Sequence, residues 1–355
     1  MVPIRFVLLL YGEGMQAVWI TKHGGLDALE VRETPDPEPA AGEVRIRTRA
    51  AGLNYAEVMA RRGTYPDAPR PPCVLGYEGA GIIDEVGEGV DSSLLGQRVI
   101  YMSKFRGQAS CVCVPAGFTT PMPESLGFED AAAMPVNYVT AYHMLHRVHR
   151  VRPGDRVLLH MAAGGVGTAV LQMCRHVGGV ETFGTLARNK FDFVTELGCD
   201  HPIDYETTDY ADEVRRLTNG EGVDLVLDPL GGLENWAKGY SLLRPGGLLI
   251  IFGLAAVVKE GRRKIIELLR KLKEKPPFTP LTMLDNNRGV AGVNIGHLWG
   301  HPDIVRTEGT EILNLYEQGA VRPHIGSRHR FSEVAQAHAE LEEGRNFGKI
   351  VLIPD

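Results

Sequence analysis

The sequence predicts an α/β protein of two domains: a β-rich first part, then a doubly wound parallel sheet. Three observations carry that prediction. At 355 residues the chain exceeds one typical domain. From Gln16 to about Pro135, short strand-like runs are separated by Gly- and Pro-rich turns, the mark of a barrel or sandwich. From about Asn137, apolar strands alternate with helical segments, as in a parallel sheet covered on both faces.

Composition narrows the class further. Hydrophobic residues make up 44% and charged residues 23%, ordinary values for a globular chain. The net charge of −6 gives no general attraction to nucleic acid. The 5 cysteines are scattered at Cys73, Cys111, Cys113, Cys174 and Cys199, which argues against a disulfide framework and for a reducing cytoplasm. No run approaches the roughly 18 apolar residues of a membrane span. The run Phe6 to Leu10 is too short for a signal-peptide core. Codons for Gly12-Glu13-Gly14 can spell a ribosome-binding sequence ahead of Met15. Residues 1–14 are therefore expected to be an upstream extension; the alternative is a short tail, disordered or packed at an edge.

The elements follow in order. "QAVWI" is the first strand, and "PDPEPAAGE" is a surface loop. "EVRIRTRA" alternates apolar and charged residues, as a half-buried strand should. "EGAGIIDEVGEGV" reads as a glycine-punctuated strand pair, and "QRVIYMSK" and "ASCVCVPA" as two more strands. "NYVTAYHMLHRVHRV" is helical. "RVLLH", "VETFG", "VDLVLD" and "GLLIIFG" are strands, alternating with helical "TAVLQMCRHV", "RNKFDFVTELG", "ADEVRRLT" and "LENWAKGYSLL". Two more helices, "DIVRTEGTEILNLYEQG" and "RFSEVAQAHAELEEG", precede the strand "KIVLIP". From Lys259 to Lys275, "KEGRRKIIELLRKLKEK" sets eight basic residues against three glutamates. Such a helix either packs its apolar stripe on its own domain or lies on an anionic membrane surface.

The corner in "RVLLHMAAGGVG" carries the chemistry. Gly164, Gly165 and Gly167 lack Cβ atoms, so the backbone can approach a pyrophosphate. The helix starting near Val166 aims unpaired N–H groups and its positive dipole end at the anion. Strand, glycines, helix and a second strand about twenty residues on make a Rossmann-type dinucleotide site. An NAD site places Asp or Glu at the end of the second strand, on the ribose 2′-hydroxyl. Here that strand ends "FGTLARNK", offering Thr185, Arg188 and Lys190, which suit a 2′-phosphate. NADPH is the predicted cofactor.

With these landmarks in place, the chain resembles a medium-chain dehydrogenase/reductase of the quinone oxidoreductase type. The resemblance runs from Met15 to Asp355, through "GLNYAEVMARRGTYP", "GYEGAGIIDEVGEGV", "NYVTAYHML", "VRPGDRVLLHMAAGGVG", "DPLGG", "LRPGG" and "FGKIVLIP". Within the family it is most similar to the vesicle-amine-transport (synaptic vesicle membrane) branch. "HMAAGGVG", "HPIDYETTDYADEV", "DPLGG" and the insertion between Phe252 and Gly292 carry that likeness. The resemblance implies a GroES-like β domain (15–136 and 303–355) beside a Rossmann domain (137–302), with the cofactor in the cleft between them. It places Lys190 and Tyr205 at the 2′-phosphate and Thr140 beside the nicotinamide. Asn54 and Tyr65 fall at active-site positions. Phe252-Gly253 and Asn346-Gly348-Lys349 match segments that close over the cofactor. Two departures are Met161, where Gly or Ala is usual in most quinone oxidoreductases, and Glu57, where "AD" is common.

Zinc-dependent relatives use a Cys, a "GHE" histidine and a later Cys or Asp. Here "GLNYAE" has no Cys and "GYEGAG" has Tyr77. A structural zinc lobe needs four closely spaced cysteines, and only Cys111 and Cys113 are neighbours. No metal is expected, and His143, His146 and His149, spaced every third residue, are expected on a wet helix face. Without a Lewis acid, reduction of a quinone or conjugated carbonyl is the easier chemistry. Asn54 NH₂ and Tyr65 OH are the expected donors to the developing oxyanion, with Tyr65 or water as proton source. The expected activity is an NADPH-dependent, zinc-independent reductase of quinones or α,β-unsaturated carbonyls. The alternatives are a cofactor-binding tethering protein with little turnover, or a pathway-specific enoyl reductase. Relatives imply a homodimer, with Arg288 to Gly296 as the edge strand that joins.

Overall fold

The computed structural model describes residues 14–259, 262–274 and 277–355. The extension expected at residues 1–14 lies outside them except for Gly14. In chain order the strands are β1 (Met15–Ile20), β2 (Leu29–Thr34), β3 (Glu43–Leu53), β4 (Cys73–Val74), β5 (Glu78–Val86), β6 (Arg98–Met102), β7 (Cys111–Pro115) and β8 (Thr119–Pro121). There follow β9 (Arg156–His160), β10 (Glu181–Leu186), β11 (His201–Asp204), β12 (Val223–Asp228), β13 (Leu243–Ile251), β14 (Gly289–Gly292), β15 (Ile325–Arg330) and β16 (Lys349–Ile353).

Six of them form a parallel sheet in the order β11-β10-β9-β12-β13-β14. Helices cover both faces, and β12 is buried at every position, which is why its centre Leu225-Val226-Leu227 is apolar and its two acids, Asp224 and Asp228, are buried as well. This is the doubly wound order, with the chain reversing direction across the sheet at β9. The GroES-like part contains a seven-stranded sheet, six strands in the order β15-β16-β3-β5-β6-β8 and β7 also on β3. The C-terminal strands thus complete the sheet begun by the N-terminal third, β16 running antiparallel to β3.

"EGAGIIDEVGEGV" holds one strand, β5, and not a pair. Gly87 lies so close to the Ala40 carbonyl that a Cβ could not fit, and Gly89 sits at φ +80°. The glycines turn the chain into a short helical turn, Ser92–Leu94, and no second strand forms there. The strands β2, β11 and β15 have little apolar alternation: β15 is "IGSRHR", held by its ladder to β16. The basic segment forms the helix Arg262–Glu274. It buries Leu268 with Ile265 and Leu272 against Trp236 and Leu249 of its own domain, and leaves Ile266 and Leu269 61% and 56% exposed. Among the described residues no helix is long and apolar enough to cross a membrane. The strand β14, within the expected joining segment, is an outer strand of its sheet.

Candidate active site

A cleft of about 1830 Å³ runs between the two sheets. That exceeds the few hundred to about 1,000 Å³ usual for one small ligand, and leaves room for a dinucleotide and a second molecule. Its walls take in Asn54, Tyr65, Thr140, Gly164 to Gly167, Thr185, Lys190, Tyr205, Phe252, Gly253, Asn346 and Lys349. Among the site residues expected from sequence, Arg188 is not brought to the cleft. Its guanidinium lies over the Phe191 ring, 4.9 Å from the centroid.

At one end, β9 stops at His160 and the chain turns through Met161, at φ +57°, into the helix Gly165–Val177. The glycines are sterically required. A Cβ on Gly167 would stand 2.4 Å from the Ala162 carbonyl oxygen, and one on Gly165 would stand 2.1 Å from Asn137 Nδ2. The first-turn N–H groups therefore open onto the cleft as an anion cradle. The returning C-terminal segment is tied to this turn: Gly348 N–H donates to the Ala163 carbonyl at 2.8 Å.

The residues expected at the ribose follow β10. Lys190 is buried, and its ammonium donates to the Gly344 and Asn346 carbonyls at 2.6 Å each. An ammonium has three donors, so one stays free for an anion. Burial lowers the Lys190 pKa from its ordinary value. Thr185 Oγ1 pairs with His160 Nδ1 at 2.9 Å, and burial pulls the His160 pKa down to about 4. Thr140, expected beside the nicotinamide, donates from Oγ1 to the Val136 carbonyl, leaving its lone pairs to accept. Gly253 passes Pro229 so closely that a Cβ would stand 2.6 Å from its carbonyl oxygen.

The floor of the cleft is a buried ionic cluster. Lys349 Nζ donates to Glu78 Oε1 and, at 2.6 Å, to Asn54 Oδ1. Asn54 Nδ2 donates to Glu78 Oε1 at 2.7 Å, and Glu78 Oε2 accepts from Val136 N–H at 2.6 Å. These contacts fix the Asn54 amide with its second N–H still to give. Lys349 was expected only to close over the cofactor; it also neutralises Glu78, which is 0% exposed. Tyr65 is half-buried, edge-on to Tyr77 with centroids 6.3 Å apart, and burial raises its phenol pKa. Glu78 was missed from sequence, although it is the one acid in the run "GYEGAG" of small and apolar residues.

Beside the cluster lies Glu57, fully buried, with Oε2 accepting from Asn54 N–H at 3.0 Å. Burial pushes its carboxyl up to about 8. The folded pKa exceeds the unfolded one, so the folded state binds a proton that the unfolded state releases. Stability is therefore lost as pH rises from about 4.5 to about 8, by up to about 5 kcal/mol. We expect Glu57→Gln to be near-neutral at pH 5 and to raise the denaturant midpoint at pH 9. An equal effect at both pH values would refute this.

The helix Pro135–Tyr142 continues as a π-helix, His143–His149. Its histidines diverge: His143 pairs with Glu308, His149 with Asp155, and His146 lies against the Tyr142 ring. Among the described residues no group of three or more His, Cys, Asp or Glu is placed to hold a metal.

Comparison with known proteins agrees with this architecture. Residues 40–145 match the alcohol dehydrogenase GroES-like domain, and residues 197–352 match the zinc-binding dehydrogenase family. The chain is 42% identical to the synaptic vesicle membrane protein VAT-1 homolog of Rattus norvegicus, over 96% of this chain and 84% of that one. The chain belongs to the medium-chain dehydrogenase/reductase family. In this family it is also 31% identical to the 2-haloacrylate reductase of a Burkholderia species, over 96% and 99% of the two chains. The structure of Escherichia coli quinone oxidoreductase complexed with NADPH superposes with a TM-score of 0.83 at 25% identity, covering 96% and 100%. This medium-chain dehydrogenase/reductase is of the quinone oxidoreductase type, an oxidoreductase family that binds a nicotinamide cofactor.

Proposed function

We propose that the chain is an NADPH-dependent, zinc-independent reductase of quinones or α,β-unsaturated carbonyls. The observation that carries this reading is the end of β10: the segment from Thr185 to Lys190 has no Asp or Glu, and Lys190, which lines the same cleft as Tyr205, has a third N–H beyond its two carbonyl bonds. The glycine cradle and this ammonium fit a phosphorylated dinucleotide. Bound NADPH supplies a hydride. The chain's own residues then do the rest. Gly164 to Gly167 hold the pyrophosphate by backbone N–H groups. Thr140, Phe252 and Gly253 bound the nicotinamide end. Asn54, oriented by Lys349 and Glu78, gives its second N–H to the oxygen where negative charge develops, and Tyr65 OH gives another. The raised phenol pKa keeps Tyr65 protonated at neutral pH, as a donor must be.

The test is to mix protein, NADPH and a panel of quinones and enones, and to follow absorbance of the reduced cofactor. Turnover is expected with NADPH and with less effect from NADH. Tight NADPH binding without turnover on any acceptor would favour the tethering reading, which the exposed Ile266 and Leu269 on the basic helix support. We also propose a homodimer joined along β14, for which sedimentation should give twice the chain mass.

A further inference from the structure

Three histidines line the cleft, and their environments differ. His160 is fully buried and held neutral, with a pKa near 4, so it has no proton to give at pH 7. His297 stands at the solvent-exposed rim, where its pair with Asp67, through Nε2 at 2.8 Å, has both side chains largely exposed and screened by water. His143 remains. It stands one helical turn after Thr140, on the same face of the helix, at the first residue of the π-helix. Departures from α-geometry of this kind recur at functional sites.

His143 is also held. Its Nδ1 lies 2.9 and 3.2 Å from the two oxygens of Glu308, a carboxyl 2% exposed on the helix Pro302–Glu317. Arg147 reaches the same carboxyl at 3.8 Å. A carboxylate only accepts, so Nδ1 carries the hydrogen of this bond, and Nε2 is the nitrogen left to exchange a proton. Nε2 has no hydrogen-bond partner among the described residues. A buried carboxylate that orients one nitrogen of an imidazole, with the other nitrogen free in a cleft, is the arrangement of a proton-transfer pair.

We propose that His143 is the catalytic acid of this site and Glu308 its positioning residue. The assignment rests on the reductase reading above. On an enone, hydride brings its electron pair into the new C–H bond at the β-carbon, the C=C π pair shifts to the bond between the α-carbon and the carbonyl carbon, and the C=O π pair moves onto oxygen, giving the enolate. The α-carbon then takes the proton of imidazolium Nε2–H. That N–H bond breaks, the ring returns to its neutral form, and solvent restores the proton. The overall change is addition of one hydride and one proton to the C=C bond, with NADPH oxidised. Asn54 and Tyr65 hold the oxygen while His143 delivers to carbon.

The experiment uses an enone bearing one α-substituent and one β-substituent, with NADPH, and reads the configuration of the product at both carbons. The wild type is expected to give one α-epimer. His143→Gln and His143→Ala are expected to lower turnover by roughly 100-fold and to give both epimers, with the β-carbon configuration unchanged. Glu308→Gln should fall between. A fold defect lowers turnover without randomising one carbon, and circular dichroism of each variant checks it. A single α-epimer from both His143 variants overturns the assignment, as does a racemic α-carbon from the wild type. Absence of NADPH oxidation by the wild type overturns the reductase reading instead, and the proposal with it.

Discussion

Lys349→Met is expected to destabilise the protein by about 3–5 kcal/mol, read as a lowered denaturant midpoint. The cause is what the substitution leaves behind. Glu78 is 0% exposed and its Oε1 is held by Lys349 and Asn54. Removing the ammonium strands a carboxylate in a medium that cannot solvate it. The loss is not the worth of the ion pair. A buried pair contributes little net stability, because desolvation offsets the attraction. The double variant Lys349→Met with Glu78→Gln is therefore expected to recover most of the loss. It should still be a poor reductase, since nothing then fixes the Asn54 amide. Equal midpoints for the single variant and the parent would show that the pair is not closed as described.

Lys190→Ala is expected to reduce the preference for NADPH over NADH by roughly 10- to 100-fold, the range for losing one charge-assisted hydrogen bond to phosphate. The same ammonium ties the Gly344 and Asn346 carbonyls to β10, so the variant also loosens the C-terminal segment. The two effects separate in the measurement. The tie affects both dinucleotides, whereas the phosphate contact affects only the phosphorylated one. The change in the ratio of their dissociation constants reports the contact alone. If NADH binding weakens as much as NADPH binding, the ammonium serves the fold and not the phosphate. The salt dependence of NADPH binding should flatten in the variant for the same reason.

Much of this was legible in the residue order. The corner Gly164 to Gly167 declares itself because strand, glycines and helix are contiguous, and Gly165 and Gly167 prove to be packed too closely for a Cβ. The missing acid after β10 is likewise a local fact. The apolar strands of the parallel sheet could be read from their own burial, and the basic segment was read as a helix. Other features were not legible. The pairs Lys349–Glu78 and His143–Glu308 span 271 and 165 positions, and no local pattern connects their members. Arg188 looked equivalent to Lys190 in sequence. In the fold Lys190 turns inward to two carbonyls while Arg188 turns onto Phe191.

Residue order alone was enough for the fold class, the family and the position of the strand–glycine–helix corner, because periodicity and turn chemistry act between near neighbours along the chain. It took the folded chain to show which charges share a dry space. Those pairings arise when β16 returns beside β3 and the helix Pro302–Glu317 docks on the helix of Thr140. Burial raises the energetic stake of every contact so made, and burial is a property of the packed molecule that no short stretch of sequence contains.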